Sequence, residues 1–177
     1  PGGVEEAKEP KRDVMAMLGK AAIEAGKKWL TVGQSVFRGT SSSNDYVLDC
    51  LDALKELDNP KFNEVQQGFA DEIELANTAT RGEDISTEDW DVLNNFAYET
   101  LDRIMQEYCP PYTFFGAHPG DGSDIGCWVN YEGLEEDAES GEIQKVAAGS
   151  LEAIQLTQGQ LPSTTDYVWV HNEERNE

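Results

Sequence analysis

The pair Pro110-Pro111 divides this chain into two stretches with different grammars. Proline inside a helix removes a backbone donor and clashes with the preceding turn, so no helix runs through the pair. Before it, apolar residues recur three and four apart, the period of an amphipathic helix. After it, aromatic and β-branched residues crowd into short runs separated by glycine, proline and aspartate, the pattern of strands and turns. Helices first and strands later indicate an α+β fold rather than alternating βαβ units. The expectation is about four N-terminal helices packed on a small C-terminal antiparallel sheet.

The first helix is expected over Lys11–Leu30, where Val14, Met17, Leu18, Ala21, Ala25 and Trp29 share a stripe. The stretch TVGQSVFRGTSSSN then reads as a loop. Ser43 or Asn44 caps a second helix that buries Val47, Cys50, Leu51, Leu54 and Leu57 and ends at Asp58-Asn59-Pro60. A third helix carries Phe62, Val65, Phe69, Ile73 and Ala76. The fourth opens at the capping-box sequence Ser86-Thr87-Glu88-Asp89 and presents Leu93, Phe96, Ala97, Leu101, Ile104 and Tyr108 on one face. Strands are expected at Tyr112–Ala117, Ile125–Tyr131 and Tyr167–His171. Between Glu132 and Gln160 two readings stay open at Ile143–Val146, strand or helix, with a helix near Leu151–Thr157.

Charge limits the partners more sharply than any motif. Thirty-five acidic residues face thirteen basic ones, for a net charge of −22. Residues 1–38 carry +2 and residues 39–177 carry −24, so a near-neutral arm with one helix precedes an acidic α+β domain. Phosphates and anionic lipid headgroups would be repelled, which disfavours direct nucleic-acid binding and membrane adhesion. No apolar run approaches the ~20 residues that span a bilayer. Cys50, Cys109 and Cys127 are odd in number and lack CxxC spacing. Reduced thiols in a cytoplasmic protein are therefore expected.

Special residues are densest in PPYTFFGAHPGDGSDIGCW, residues 110–128. Glycines permit close backbone approach, so this segment is a candidate ligand loop built from Tyr112, His118, Asp121, Asp124 and Trp128. The alternative is a hairpin whose glycines and aspartates serve tight-turn geometry. If Tyr167–His171 pairs beside that hairpin, His118 and His171 with Asp121 and Asp124 would form a two-histidine, two-carboxylate metal site. Cys109 or Cys127 beside His118 would make a nucleophile pair, although neither has a family signature around it, and buried structural cysteine is the simpler reading. P-loop, GxSxG, HExxH and GxGxxG motifs are absent, so no catalytic residue and no cofactor are assigned.

The same segment, followed further on by DYVWVHN, resembles small uncharacterised proteins of phages and prokaryotic genomes over Cys109 to Asn172. The chain departs from that pattern after His171, where NEERNE replaces a glycine-containing turn. The resemblance implies an accessory protein and brings no activity with it. With the charge, it leads to an acidic interaction protein whose face is Glu132, Glu135, Glu136, Asp137 and Glu139. Its expected partner is a protein, in the sharpest form a nucleic-acid-binding protein whose basic groove the acidic face occupies as a mimic. Two alternatives remain: a small enzyme or metal protein centred on HPGDGSD, and a structural subunit tethered through its N-terminal helix.

Overall fold

The computed structural model describes residues 14–17, 27–39, 42–153 and 167–171. The fold is mixed α and β, and the chain forms two units, residues 28–128 and, from both ends of the sequence, residues 1–27 with 129–177. The sequence boundary at residue 38 falls inside the first of these, at the end of a strand. No helix among the described residues is long and apolar enough to cross a membrane.

Unit 28–128 is built on helix α1, Ser43–Leu57. Its apolar residues at positions 47, 50, 51 and 54 fall on one side and are all buried. The residue that caps it is Ser42, not Ser43 or Asn44. Asn44 is instead buried and donates to Thr80 Oγ1 at 2.9 Å, tying the start of α1 to a later helix. Helix α2, Asn59–Gly68, starts where Asp58 Oδ1 accepts the Lys61 N–H at 3.0 Å. The other oxygen of Asp58 accepts from the Tyr108 hydroxyl at 2.8 Å.

The expected third helix is two helices, because α2 stops at Gly68 and α3 spans Ala70–Thr80. Glycine in a helix interior costs about 1 kcal/mol relative to alanine, and Phe69 leaves helical dihedrals at φ −127° and ψ 36°. The Phe69 ring meets Phe96 with centroids 4.9 Å apart.

Helix α4, Thr87–Asn95, is capped as its sequence requires, with Ser86 Oγ accepting the Asp89 N–H at 3.1 Å. It passes into a π-helical turn at Phe96–Leu101 and then into α5, Asp102–Gln106. A π turn inserts one extra residue. The buried face therefore slips by one position, and Met105 is fully buried where the regular period places Ile104.

The strand arrangement differs from the single C-terminal sheet expected. Strand β1, Val14–Met17, occupies part of the expected first helix, and residues 27–30 are not helical either. Four consecutive apolar residues satisfy a strand as well as a helix, and periodicity alone does not separate the two. The remainder of that expected helix lies outside the described residues, as do the expected leader 1–10, residues 154–157 and the NEERNE tail. Strand β2, Ser35–Arg38, lies within the stretch read as a loop. Its Val36-Phe37 pair favours extended backbone over the surrounding serines and glycines.

Strand β3 is Thr113–His118 and β4 is Asp121–Val129. The turn between them is only Pro119-Gly120, shorter than the HPGDGSD segment read as turn. These strands form a three-stranded sheet in the order β2-β4-β3. The antiparallel register sets Arg38 against Asp124, Phe37 against Ile125 and Ser35 against Gly126, with a bulge at Val36.

The other unit holds helix α6, Tyr131–Ser140, strand β5, Gln144–Ala147, and strand β6, Tyr167–His171. Glycine ends α6 in the left-handed conformation, at Gly141 with φ 82°. Its sheet runs β1-β6-β5, with β1 antiparallel and β5 parallel to β6. Val168 and Trp169 are both buried, so both faces of β6 are covered, and a central position follows. Lys145, register partner of Trp169, places its Nζ 4.3 Å from the indole ring and 3.1 Å from Glu135 Oε1. Lys145 thereby links α6 to the sheet.

Candidate functional site

The β3–β4 hairpin carries the residues read as a ligand loop. Gly120 N–H donates to His118 Nδ1 at 2.9 Å, and the imidazole meets the Trp128 ring edge-on at 4.7 Å. Trp128 Nε1 donates to the Gly116 carbonyl at 2.8 Å. The Ser123 hydroxyl and N–H both donate to Asp121 Oδ1, at 2.7 and 3.0 Å, and hold that carboxyl below its ordinary range. Asp124 is buried, and Arg38 Nη2 donates to its Oδ2 at 2.9 Å. The Ser35 hydroxyl and then Arg38 pull the Asp124 carboxyl down as well. Tyr112 begins the hairpin with φ 61°, left-handed backbone that costs a bulky residue about 1–2 kcal/mol.

These bonds serve the turn itself and the pairing of β4 with β2. His118 and His171 lie in different units, and His171 is buried with its ring against Trp169 at 4.9 Å. Among the described residues no three His, Cys, Asp or Glu side chains gather as metal ligands would.

All three cysteines are buried free thiols. The structure brings Cys109 and Cys127 together. Their hydrogen bond, then burial, pushes the Cys109 thiol up, while the same bond draws Cys127 down. Cys127 Sγ also donates to Thr113 Oγ1 at 3.2 Å. Burial drives the Cys50 thiol up, which suits a core residue rather than a nucleophile.

The carboxylates are arranged more regularly than the hairpin residues. On α6, Glu132, Glu135, Glu136 and Glu139 are exposed while Leu134 is buried on the opposite side, and Asp137 is half-buried. On α1, Asp45, Asp49, Asp52 and Glu56 are exposed at spacings of four, three and four, which align them along one helix face. That second stripe is present in the sequence but interleaved there with the apolar face, which masks its regular spacing.

Along part of the α1 stripe runs a groove of about 660 Å³, lined on one side by Asp49, Asp52 and Glu56 and on the other by residues 28–31 and 34–36. Burial, then Asp52 and Asp45, raise the Asp49 carboxyl above its usual range. Burial also raises Asp102, whose carboxylate accepts from the Tyr46 hydroxyl beside the π turn.

These shifts have opposite consequences for stability. Asp121 and Asp124, lowered on folding, contribute stability above about pH 4 that is lost as pH falls through their folded-state values. Asp49 and Asp102, raised on folding, cost stability at neutrality, and that cost is relieved as pH falls through their raised values. Relief of self-repulsion at −22 acts in the same direction. The thermal midpoint is expected to rise from pH 7 to about pH 5 and to fall below about pH 4. Melts followed by circular dichroism check this, and a steady fall from pH 7 downward would contradict it.

No protein-family model, curated protein or solved structure matches the chain.

Proposed function

We propose that the chain is an acidic protein-binding module that docks on basic surfaces, of the kind nucleic-acid-binding proteins use to hold phosphates. The observation that carries this reading is the alignment of exposed carboxylates on single helix faces, Glu132, Glu135, Glu136 and Glu139 on α6 and Asp45 to Glu56 on α1. Like charges three and four apart destabilise a helix by about 0.2–0.5 kcal/mol per pair. Such a face is therefore held at a local cost that a basic partner relieves. The hairpin supports the same reading, because its histidine and aspartates are engaged in its own turn and strand pairing.

Immobilised protein is expected to retain nucleic-acid-binding proteins from a lysate at low salt. Duplex DNA and high salt should both release them, since screening weakens exposed charge pairs. Replacing Glu132, Glu135, Glu136 and Glu139 together by glutamine should reduce retention at least severalfold, with the helical circular dichroism unchanged. Retention indifferent to salt, DNA and these substitutions would defeat the proposal.

A further inference from the structure

We infer that the groove between α1 and residues 28–36 seats an extended, basic segment of the partner protein. The inference rests on the reading of the chain as an acidic binding module and assigns the place where the partner's chain enters.

Three features of the groove converge on that occupant. Its volume, about 660 Å³, lies within the range of pockets that hold ligands. One wall is anionic, with Asp49, Asp52 and Glu56 in line along α1. At ~1.5 Å rise per residue that wall runs about 10 Å, the length of roughly three residues of extended chain. Two or three lysines or arginines on such a chain would meet the carboxylates in turn.

The opposite wall includes Ser35 and Val36 of β2, one of the two edge strands of its sheet among the described residues. A sheet edge is suited to an extended peptide, whose main chain adds to the strand while side chains settle on either side. Trp29 and Leu57 also line the groove and add apolar surface to it. Lys28 stands at the end of the groove, with its Nζ 3.4 Å from the Glu56 carbonyl. Its charge sets a limit on how far a cationic segment extends in that direction.

The geometry also separates this site from a merely acidic surface. The α6 face offers carboxylates on a convex helix, whereas the α1 carboxylates border a concavity with an edge strand and an aromatic side chain. Desolvation beside its carboxylate neighbours already leaves Asp49 less disposed to ionise, so a cation arriving there gains more than on an open face.

The test uses the full chain and a fluorescein-labelled hexapeptide of alternating arginine and valine, titrated by anisotropy at low salt. The same peptide with glutamate for arginine serves as control. The arginine peptide is expected to bind, and amide and indole signals of residues 28–36 and 49–57 should shift in heteronuclear NMR spectra. The triple substitution D49N/D52N/E56Q should weaken binding at least tenfold, while the charge-matched D84N/E88Q/D91N, at exposed acids outside both stripes, changes it less than twofold.

Binding that survives the α1 substitutions but is lost with the α6 ones would overturn the groove assignment and leave the acidic-module reading intact. Failure of the arginine peptide to bind wild-type protein at all would overturn the groove assignment, and the lysate experiment would then decide the broader reading alone. Binding of spermine at the groove with no binding of the peptide would also overturn it, in favour of a small polycation.

Discussion

Replacing Leu101 by alanine is expected to lower stability by about 2–5 kcal/mol, the cost of removing a large aliphatic side chain from a packed core. Leu101 is fully buried and closes the π turn. A companion pair of variants tests the turn itself. If the extra residue shifts the buried face, Met105→Ala should cost far more than Ile104→Ala, because Met105 is fully buried and Ile104 is half-exposed. A regular α-helix would give the opposite order. Urea unfolding of the three variants beside Val92→Ala, whose parent side chain is exposed, reads all of this. Equal losses at 104 and 105 would remove the π turn from the account.

Gly126→Ala is expected to be nearly as damaging, by a different route. Gly126 lies on β4, register partner of Ser35 on β2. A β-carbon there would collide with the Gln34 carbonyl oxygen and stand 3.0 Å from Trp128 Cζ2. The first obstacle is backbone and cannot rotate away, so β2 must separate from β4. Overpacking of this kind costs about 1–3 kcal/mol, occasionally more. The variant should also expose Trp128, seen as a red shift in tryptophan emission. An alanine variant with wild-type stability would mean that β2 does not approach β4 at this point. Gly122→Ala, where an added methyl meets nothing within 4 Å, supplies the tolerant comparison.

Much of the helical core was legible in the sequence. Residues 47, 50, 51 and 54 bury together because their spacing places them on one side of α1, and Ser86 caps α4 as its hydroxyl position demands. The misreadings share a physical origin. Val14–Met17 and Ser35–Arg38 are short, and each becomes a strand only through pairing with residues far along the chain, β6 and β4 respectively. Local periodicity contains nothing about such partners. The division of the third helix hangs on Gly68 and on the meeting of Phe69 with Phe96, again a distant contact.

The candidate site divides in the same way. Its special residues were visible in the sequence, but their bonds to Gly120, Ser123 and Arg38 needed the hairpin to be drawn. The α1 carboxylates were visible too. The groove beside them was not, since its second wall lay within segments read as helix end and loop.

The pairing of Val14 with Val170 has a consequence for how the chain is made. Residues 28–128 form a contiguous stretch and can complete their contacts while the ribosome is still translating the remainder. Strand β1 has no such opportunity. It stays without β6 until Tyr167–His171 has left the exit tunnel, and closing so long a loop slows the search further. Residues 28–128 can therefore assemble before β1 meets β6, and until that meeting β1 is an apolar strand without its sheet partner, a segment for chaperones to protect.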